Sequence, residues 1–345
     1  MQSMLPTPHF RGPAKYRLRC AEVVARSIAA ATARRLRHGP RMPGWNWAVE
    51  LGTAILRNQL HTAFTIPNVT EQRRYIDSLV LDSPAAKEVA RKDVCDGSLR
   101  GTWHTPKNPS AATILYLHGG GFAFYPKASY ANLIALVARV AKASTFAVDY
   151  RLTPEHRFPA QLDDVRAAYR WLLVNGTDPR RLVVAGDSAG GNLTLALLCD
   201  LRDRGLPLPS LGIALSPATE FDTIQPSMTA NENSDWITGP MALTWRDWYC
   251  SADERVLPLV SPVHADLRGL PPIYIQAGRA EILYDSICAF VLAAKQQGAD
   301  ITFESWPDMN HVFHFFGNDA PQSAEALRRI GEVIAQNVQK QAVAQ

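Results

Sequence analysis

From residue 113 onward, six short runs of apolar and β-branched residues alternate with longer segments of helical periodicity. The runs are TILYL (113–117), TFAVDY (145–150), LVVAG (182–186), GIALS (212–216), IYIQA (273–277) and ITFES (301–305). Between and after them, ANLIALVARVAKA, AQLDDVRAAYRWLLVN, AGGNLTLALLCDLRDRG, YDSICAFVLAAKQQG and AEALRRIGEVIAQNVQK carry helical patterns, several closed by Gly or Asn. A strand buried on one face alternates polar with apolar residues. These runs are apolar nearly throughout, so both of their faces must be covered. The fold class this predicts is α/β, a mostly parallel sheet flanked by helices. At 345 residues, one such domain with a smaller accessory region fits better than two equal domains.

Two stretches break the rhythm, residues 1–75 and residues 217–255. The second is rich in turn formers and then in aromatics, and it interrupts the core between two strands. Together they read as a cap: an N-terminal cap segment (1–75) and a cap insertion (217–255), with 76–216 and 256–345 forming the core. Charge is also uneven. Residues 1–40 hold eight Lys and Arg against Glu22 alone, although the whole chain carries only +4. In AEVVARSIAAATARRLR, Val24, Ile28 and Ala31 recur at helical spacing. The reading favoured is a helix covering the body of the protein with its arginines in water. A weak contact with an anionic membrane surface is the alternative partner reading, and a matrix-targeting peptide a third. Nucleic acid is not expected, because no stacking aromatics are interleaved with the basic residues. There is no run of 18 apolar residues and no secretory h-region, so a cytoplasmic location is expected. The five cysteines are widely spaced, without a CxxC pair or zinc-site spacing; they are expected to be reduced thiols, and no metal is expected.

Residues 181–192, RLVVAGDSAGGN, end a buried strand in Gly186-Asp187-Ser188-Ala189-Gly190 just where a helix must begin. A serine hydroxyl becomes a useful nucleophile only if it projects from its own backbone, reaches a base and leaves room for an acyl carbon. A tight strand-to-helix turn achieves this, with the flanking glycines giving clearance for close backbone crossing. The five-residue pattern alone is common by chance. Its setting between LVVAG and AGGNLTLALL is the one the motif requires.

Two further features support Ser188 as a nucleophile. LYLHGGGFAF places His118, Gly119, Gly120 and Gly121 directly after a strand, without the spacing of a phosphate loop. Unencumbered N–H groups of Gly120 and Gly121, with that of Ala189 after the serine, form an expected oxyanion set. His118 is expected to shape that loop and Asp187 to brace the serine turn. In addition, FESWPDMNHVFHFF offers His311 or His314 as a base after a late strand, and IQAGRAEILYDS offers Glu281 or Asp285 as an acid beyond the strand before it. Asp149, Arg151, Glu155 and Asp164 are expected to form a structural polar network under the site, and His156 and His264 to be surface or satisfied residues.

The sequence resembles the hormone-sensitive-lipase-like branch of the α/β-hydrolases. HGGGF at 118, DYRLTPEHRFPA at 149, GDSAGG at 186, LPP at 270 and Met309-x-His311-x-Phe313 match in the expected order, over residues 95–338. The resemblance implies an eight-stranded, mostly parallel sheet, a helical cap from the N-terminus and an insertion after the sixth strand, and carboxylic-ester hydrolysis without a cofactor. It also implies His311 rather than His314 as base. At the acid's position the branch usually has Asp, then Pro or Val, Leu and a further Asp. Here Glu281-Ile282-Leu283-Tyr284-Asp285 departs from that pattern, so that Glu281 falls at the acid's position and Asp285 becomes the alternative acid.

The expected substrate is a small to medium acyl ester. Phe122, Phe124, Tyr125, Phe221, Trp236, Trp245, Trp248 and Tyr249 supply aromatic density for its pocket or for the cap core, and Phe313 is placed beside the base. An amidase or deacetylase would use the same triad on acylated amines. A non-catalytic binding protein on this fold, as in plant gibberellin receptors, lacks the histidine that this chain keeps at 311. A homodimer is a further expectation.

Overall fold

The computed structural model describes residues 7–82, 87–125 and 127–343. Residues 1–6 of the expected cap segment, residues 83–86 and 126 of the expected core, and residues 344–345 lie outside the described residues. In chain order the strands are β1 (Thr7–Phe10), β2 (Leu79–Asp82), β3 (Val89–Asp96), β4 (Leu99–Pro106), β5 (Thr113–Leu117), β6 (Ser144–Val148), β7 (Leu182–Asp187), β8 (Leu211–Leu215), β9 (Ile273–Gly278) and β10 (Ile301–Trp306). The helices are α1 (Ala14–His38), α2 (Trp47–Phe64), α3 (Val69–Ile76), α4 (Lys127–Ala141), α5 (Ala160–Val174), α6 (Ala189–Asp203), α7 (Ser227–Ala230), α8 (Gly239–Tyr249), α9 (Tyr284–Gln296) and α10 (Pro321–Val343).

Eight strands form one sheet in the order β10-β9-β8-β7-β5-β6-β4-β3. From β10 to β6 every pairing is parallel, and β4 and β3 complete the edge antiparallel. The central strands are buried on both faces, as continuous apolar runs require. Period-two alternation divides β5 between two cores. Ile114 and Tyr116 pack with Leu133, Ile134 and Val137 of α4 and Leu327 and Ile330 of α10. Leu115 and Leu117 pack with Val165 and Tyr169 of α5 and Leu193 and Leu197 of α6. Burying each such side chain contributes roughly 1.5–3 kcal/mol.

Strands β3 and β4 do not appear among the six apolar runs because VARKDVCD is an edge strand, exposed along most of its length, whose side chains are polar. Ladder hydrogen bonds to LRGTWHTP hold it, with Val89 opposite Pro106 and Asp96 opposite Leu99. Charged residues on an edge also discourage pairing with other chains.

The N-terminal segment folds into α1, α2 and α3 and is tied to the body by the β1–β2 pair. On α1 the buried face is Tyr16, Cys20, Val24, Ser27 and Ala31. Ile28, expected on that face, is 40% exposed. Arg17, Arg19, Arg26 and Arg37 of α1 are exposed, as expected, but two arginines differ. Arg34 and Arg35 do not sit free in water: they converge on Glu50 of α2 at 2.7 and 3.2 Å, and the Glu50 side chain is only 2% exposed. The backbone N–H of Arg41 donates to the same carboxylate at 3.0 Å. Basic residues near the end of α1 therefore serve as an internal fastening. Among the described residues no helix is long and apolar enough to cross a membrane.

Removing one partner of a buried ion pair leaves uncompensated charge. Glu50→Gln should lower unfolding stability by about 3 kcal/mol, read as a lower urea midpoint.

Candidate active site

The turn that carries Ser188 is built by close approach. β7 ends at Asp187, α6 starts at Ala189, and Ser188 between them takes φ 53°, ψ −118°. L-residues rarely occupy that region, so surrounding contacts must hold it. A Cβ at Gly190 would lie 1.9 Å from the Leu117 carbonyl oxygen, so only glycine allows the first turn of α6 to cross the end of β5. The Ser188 N–H donates to the Leu215 carbonyl at 2.8 Å, and the Ser188 carbonyl accepts from Asn192 and Ala218.

His311 lies in the loop after β10, and its Nε2 is 2.9 Å from Ser188 Oγ. Its Nδ1 faces Glu281 Oε2 at 3.6 Å, longer than a hydrogen bond. Both side chains are buried. Burial pushes the Glu281 carboxyl up, to about 8, against the nearby Ser216 hydroxyl and Gly278 backbone. Burial also holds His311 below the usual histidine value, opposed by the charges of Asp235 and Asp187. Each group resists charge alone, whereas an imidazolium opposite a carboxylate forms a compensated pair.

The other candidates from the sequence separate clearly. Asp285 is turned away from the imidazole, and its Oδ2 accepts the Ser227 N–H at 2.8 Å. His314 is buried with Nε2 2.8 Å from Gln276 Oε1. His264 pairs with Asp222. Asp149, Arg151, Glu155 and Asp164 are not one network but belong to three ion pairs: Asp149 with Lys127, Arg151 with Asp164, and Glu155 with Arg73.

Gly120 and Gly121 face the cavity beside Ser188, and Ala189 opens α6 on the other side. A Cβ at Gly120, where φ is +94°, would strike the Phe124 carbonyl at 2.1 Å. Gly119 donates its N–H to Asp187 Oδ1 at 3.1 Å, while Tyr116 and Tyr130 donate their hydroxyls to the same carboxylate. Asp187 thus links the serine turn to the glycine loop. Burial raises its carboxyl to about 6 against these donors. His118 is stacked between Tyr125 and Tyr150, with Nδ1 2.8 Å from the Gly119 carbonyl. Desolvation lowers it to about 3, which keeps it neutral.

Above the serine is a cavity of about 330 Å³. Its walls include Leu60, Phe124, Trp236, Ile237, Trp245 and Phe315. Of the aromatic residues expected there, Phe122, Tyr125, Phe221, Trp248, Tyr249 and Phe313 are not among its walls. Phe122 stacks on Tyr249 at 3.7 Å, and Phe313 packs with Trp45, Met309 and Trp306, because each is wholly or nearly buried in a separate apolar cluster.

Several contributors escaped sequence reasoning. Ser216, just past β8, accepts the Val312 N–H at 3.1 Å, and Asp235 accepts the N–H of His311 at 3.2 Å. Arg73 of α3 donates to the carbonyls of Ala123 and Thr153, next to the glycine loop. None belongs to a short motif. The only available signal was Asp235 beside Trp236 within an aromatic insertion.

A sequence profile of the α/β hydrolase fold matches residues 114–315. An acetyl-hydrolase of Streptomyces hygroscopicus is 37% identical over 236 residues, which are 68% of this chain and 79% of that protein. The carboxylesterase NlhH of Mycobacterium tuberculosis is 30% identical over 287 residues, covering 81% and 87% of the two chains. Among solved structures, EstE5 soaked with p-nitrophenyl butyrate gives a TM-score of 0.79 at 32% identity, over 85% of this chain and 99% of that one. An esterase from the bacterial hormone-sensitive lipase family gives 0.75 at 33% identity, over 83% and 98%. With the strand order, the serine turn and these likenesses in agreement, the chain belongs to the α/β-hydrolase family, in its hormone-sensitive-lipase-like branch.

Proposed function

We propose that this carboxylic-ester hydrolase works through an acyl intermediate on Ser188, with His311 as base and Glu281 as the acid that orients it. The observation carrying this reading is the 2.9 Å approach of His311 Nε2 to Ser188 Oγ at the head of an apolar cavity. His311 takes the serine proton as Oγ attacks the ester carbonyl, and the carbonyl oxygen becomes an anion facing the N–H groups of Gly120, Gly121 and Ala189. One such donor is typically worth about 3 kcal/mol in the transition state. His311 returns the proton to the departing alcohol, leaving acyl-serine. It then activates the water that releases the acid. As His311 takes the proton, a carboxylate at Glu281 faces Nδ1 and compensates the transient imidazolium.

Segments 1–75 and 217–255 act as the cap in this reading. Leu56 and Leu60 come from the first, and Trp236, Ile237 and Trp245 from the second; all line the cavity. Its volume is at the low end for small-molecule sites, which run from about 300 to 1,000 Å³. That size, and the acetyl-hydrolase among the relatives, support small to medium acyl esters as substrates.

Ser188→Ala should reduce turnover of p-nitrophenyl acetate or butyrate by about a millionfold while the protein stays folded. It should also abolish covalent labelling by an organophosphonate, read by intact mass. Wild-type turnover in that variant would refute the mechanism. Glu281→Gln should lower kcat by about 10⁴-fold, whereas Asp285→Asn should change it by less than about tenfold. The opposite ranking would transfer the acid's role. Only neutral His311 can accept the serine proton, and burial favours that form. The acidic limb of kcat/KM should therefore have its midpoint below the ordinary histidine value, with activity lost as pH falls through it.

A further inference from the structure

One more carboxylate is fully buried against the base. Asp235 lies between β8 and β9, in the segment joining α7 to α8. Its Oδ1 accepts the N–H groups of Trp236 at 2.7 Å and His311 at 3.2 Å, and its Oδ2 accepts that of Ile282 at 2.8 Å. Ile282 directly follows Glu281 on the turn beyond β9, whereas His311 belongs to the loop beyond β10. A single side chain thus bridges the two loops that carry the acid and the base.

Neighbouring residues reinforce the bridge. The Trp236 indole N–H donates to the His311 carbonyl. Ser234 Oγ donates to the Ala280 carbonyl at 2.9 Å, and Asn231 Nδ2 donates to the carbonyls of Arg279 and Glu281, each at 2.9 Å. Arg57 of α2 holds the segment from its other side through the carbonyls of Glu232 and Asp235.

We propose that Asp235, with the adjoining Trp236, is a positioning element for ester hydrolysis: its carboxylate fastens the Glu281 turn to the His311 loop and sets the spacing at which acid and base act. This rests on the roles of Ser188, Glu281 and His311 given above. The donor arrangement selects a carboxylate. Three backbone N–H groups converge on two oxygens, and an asparagine would turn its own NH₂ group toward one of those donors. Those donors offset the cost of burying the Asp235 carboxylate.

A simple structural staple would stabilise the loops without acting on the imidazole. Asp235 does both, because its negative charge favours protonated His311, as does that of Asp187 at the end of β7. The other groups facing the imidazole are Ser188 on the turn before α6, Glu281 beyond β9, the Trp236 ring, and buried His314, which disfavours a second charge.

Asp235→Asn in the full chain provides the test. It should lower kcat for p-nitrophenyl butyrate by about a hundredfold, the effect of a misplacement of about 1 Å. KM should change by less than about threefold, and the acidic limb of kcat/KM should move to lower pH by about one unit. A folded variant with wild-type kcat and an unmoved limb would overturn the proposal, even if it melted at a lower temperature. Should that variant not fold, Trp236→Phe keeps the ring and removes one N–H; it should lower kcat about three- to tenfold with the limb unmoved, and wild-type kcat there would overturn the proposal. An inactive Ser188→Ala beside a fully active Asp235→Asn would reject the fastening alone. An active Ser188→Ala would reject the underlying mechanism.

Discussion

The site depends on one steric constraint, the crossing of α6 over the end of β5. The crossing is close enough that Gly190 can carry no side chain, and it forces Ser188 into a left-handed backbone between strand and helix. A strained residue persists only where its surroundings over-determine it. Here the sheet does so: β7 is buried between β5 and β8, and the Ser188 N–H is held by the last residue of β8. Every other functional group is measured from that fixed hydroxyl. The parallel sheet then brings the loops after β5, β7, β9 and β10 to one edge, so groups distant in sequence meet with little loop length.

Electrostatics gives the second layer of order. Asp187, Asp235 and Glu281 are all buried within reach of one imidazole, an arrangement that would be very unfavourable if the carboxylates were left to themselves. The first two resolve it in the same way, by collecting donors fixed in the backbone or in tyrosine hydroxyls. Each links two loops through those donors. Glu281 differs, since neither of its oxygens has a hydrogen-bond partner within normal distance among the described residues. The carboxylate without such donors is the one that faces His311 Nδ1.

The sheet was legible in the sequence to the extent that burial leaves a compositional trace. Six continuous apolar runs mark the six parallel strands, whereas β3 and β4 carry no such trace because one is exposed and ladder bonds do not depend on side chains. Ser188, the glycine loop and His311 sit in short contiguous patterns whose chemistry constrains each position. Asp235 and Ser216 do not, since their contacts are to the backbone of remote segments, and a backbone N–H is the same in every residue. The aromatic residues were ambiguous for a related reason. Phe122, Phe124, Trp245 and Tyr249 are equally good at filling a core or lining a cavity, and only the fold separates them.

Four arginines of the N-terminal helices act inside the protein. Arg34 and Arg35 end on Glu50, Arg57 ends on two carbonyls beside Asp235, and Arg73 ends on Glu155 and on carbonyls at the glycine loop. Guanidinium suits this use because its several planar donors can hold more than one acceptor at once. The helices that supply Leu56, Leu60 and Ile76 to the cavity are therefore attached both beside the glycine loop and beside the segment that bonds His311. Motion of those helices cannot be independent of the reacting groups. The walls of the cavity and the approach of His311 to Ser188 therefore share one connected set of hydrogen bonds.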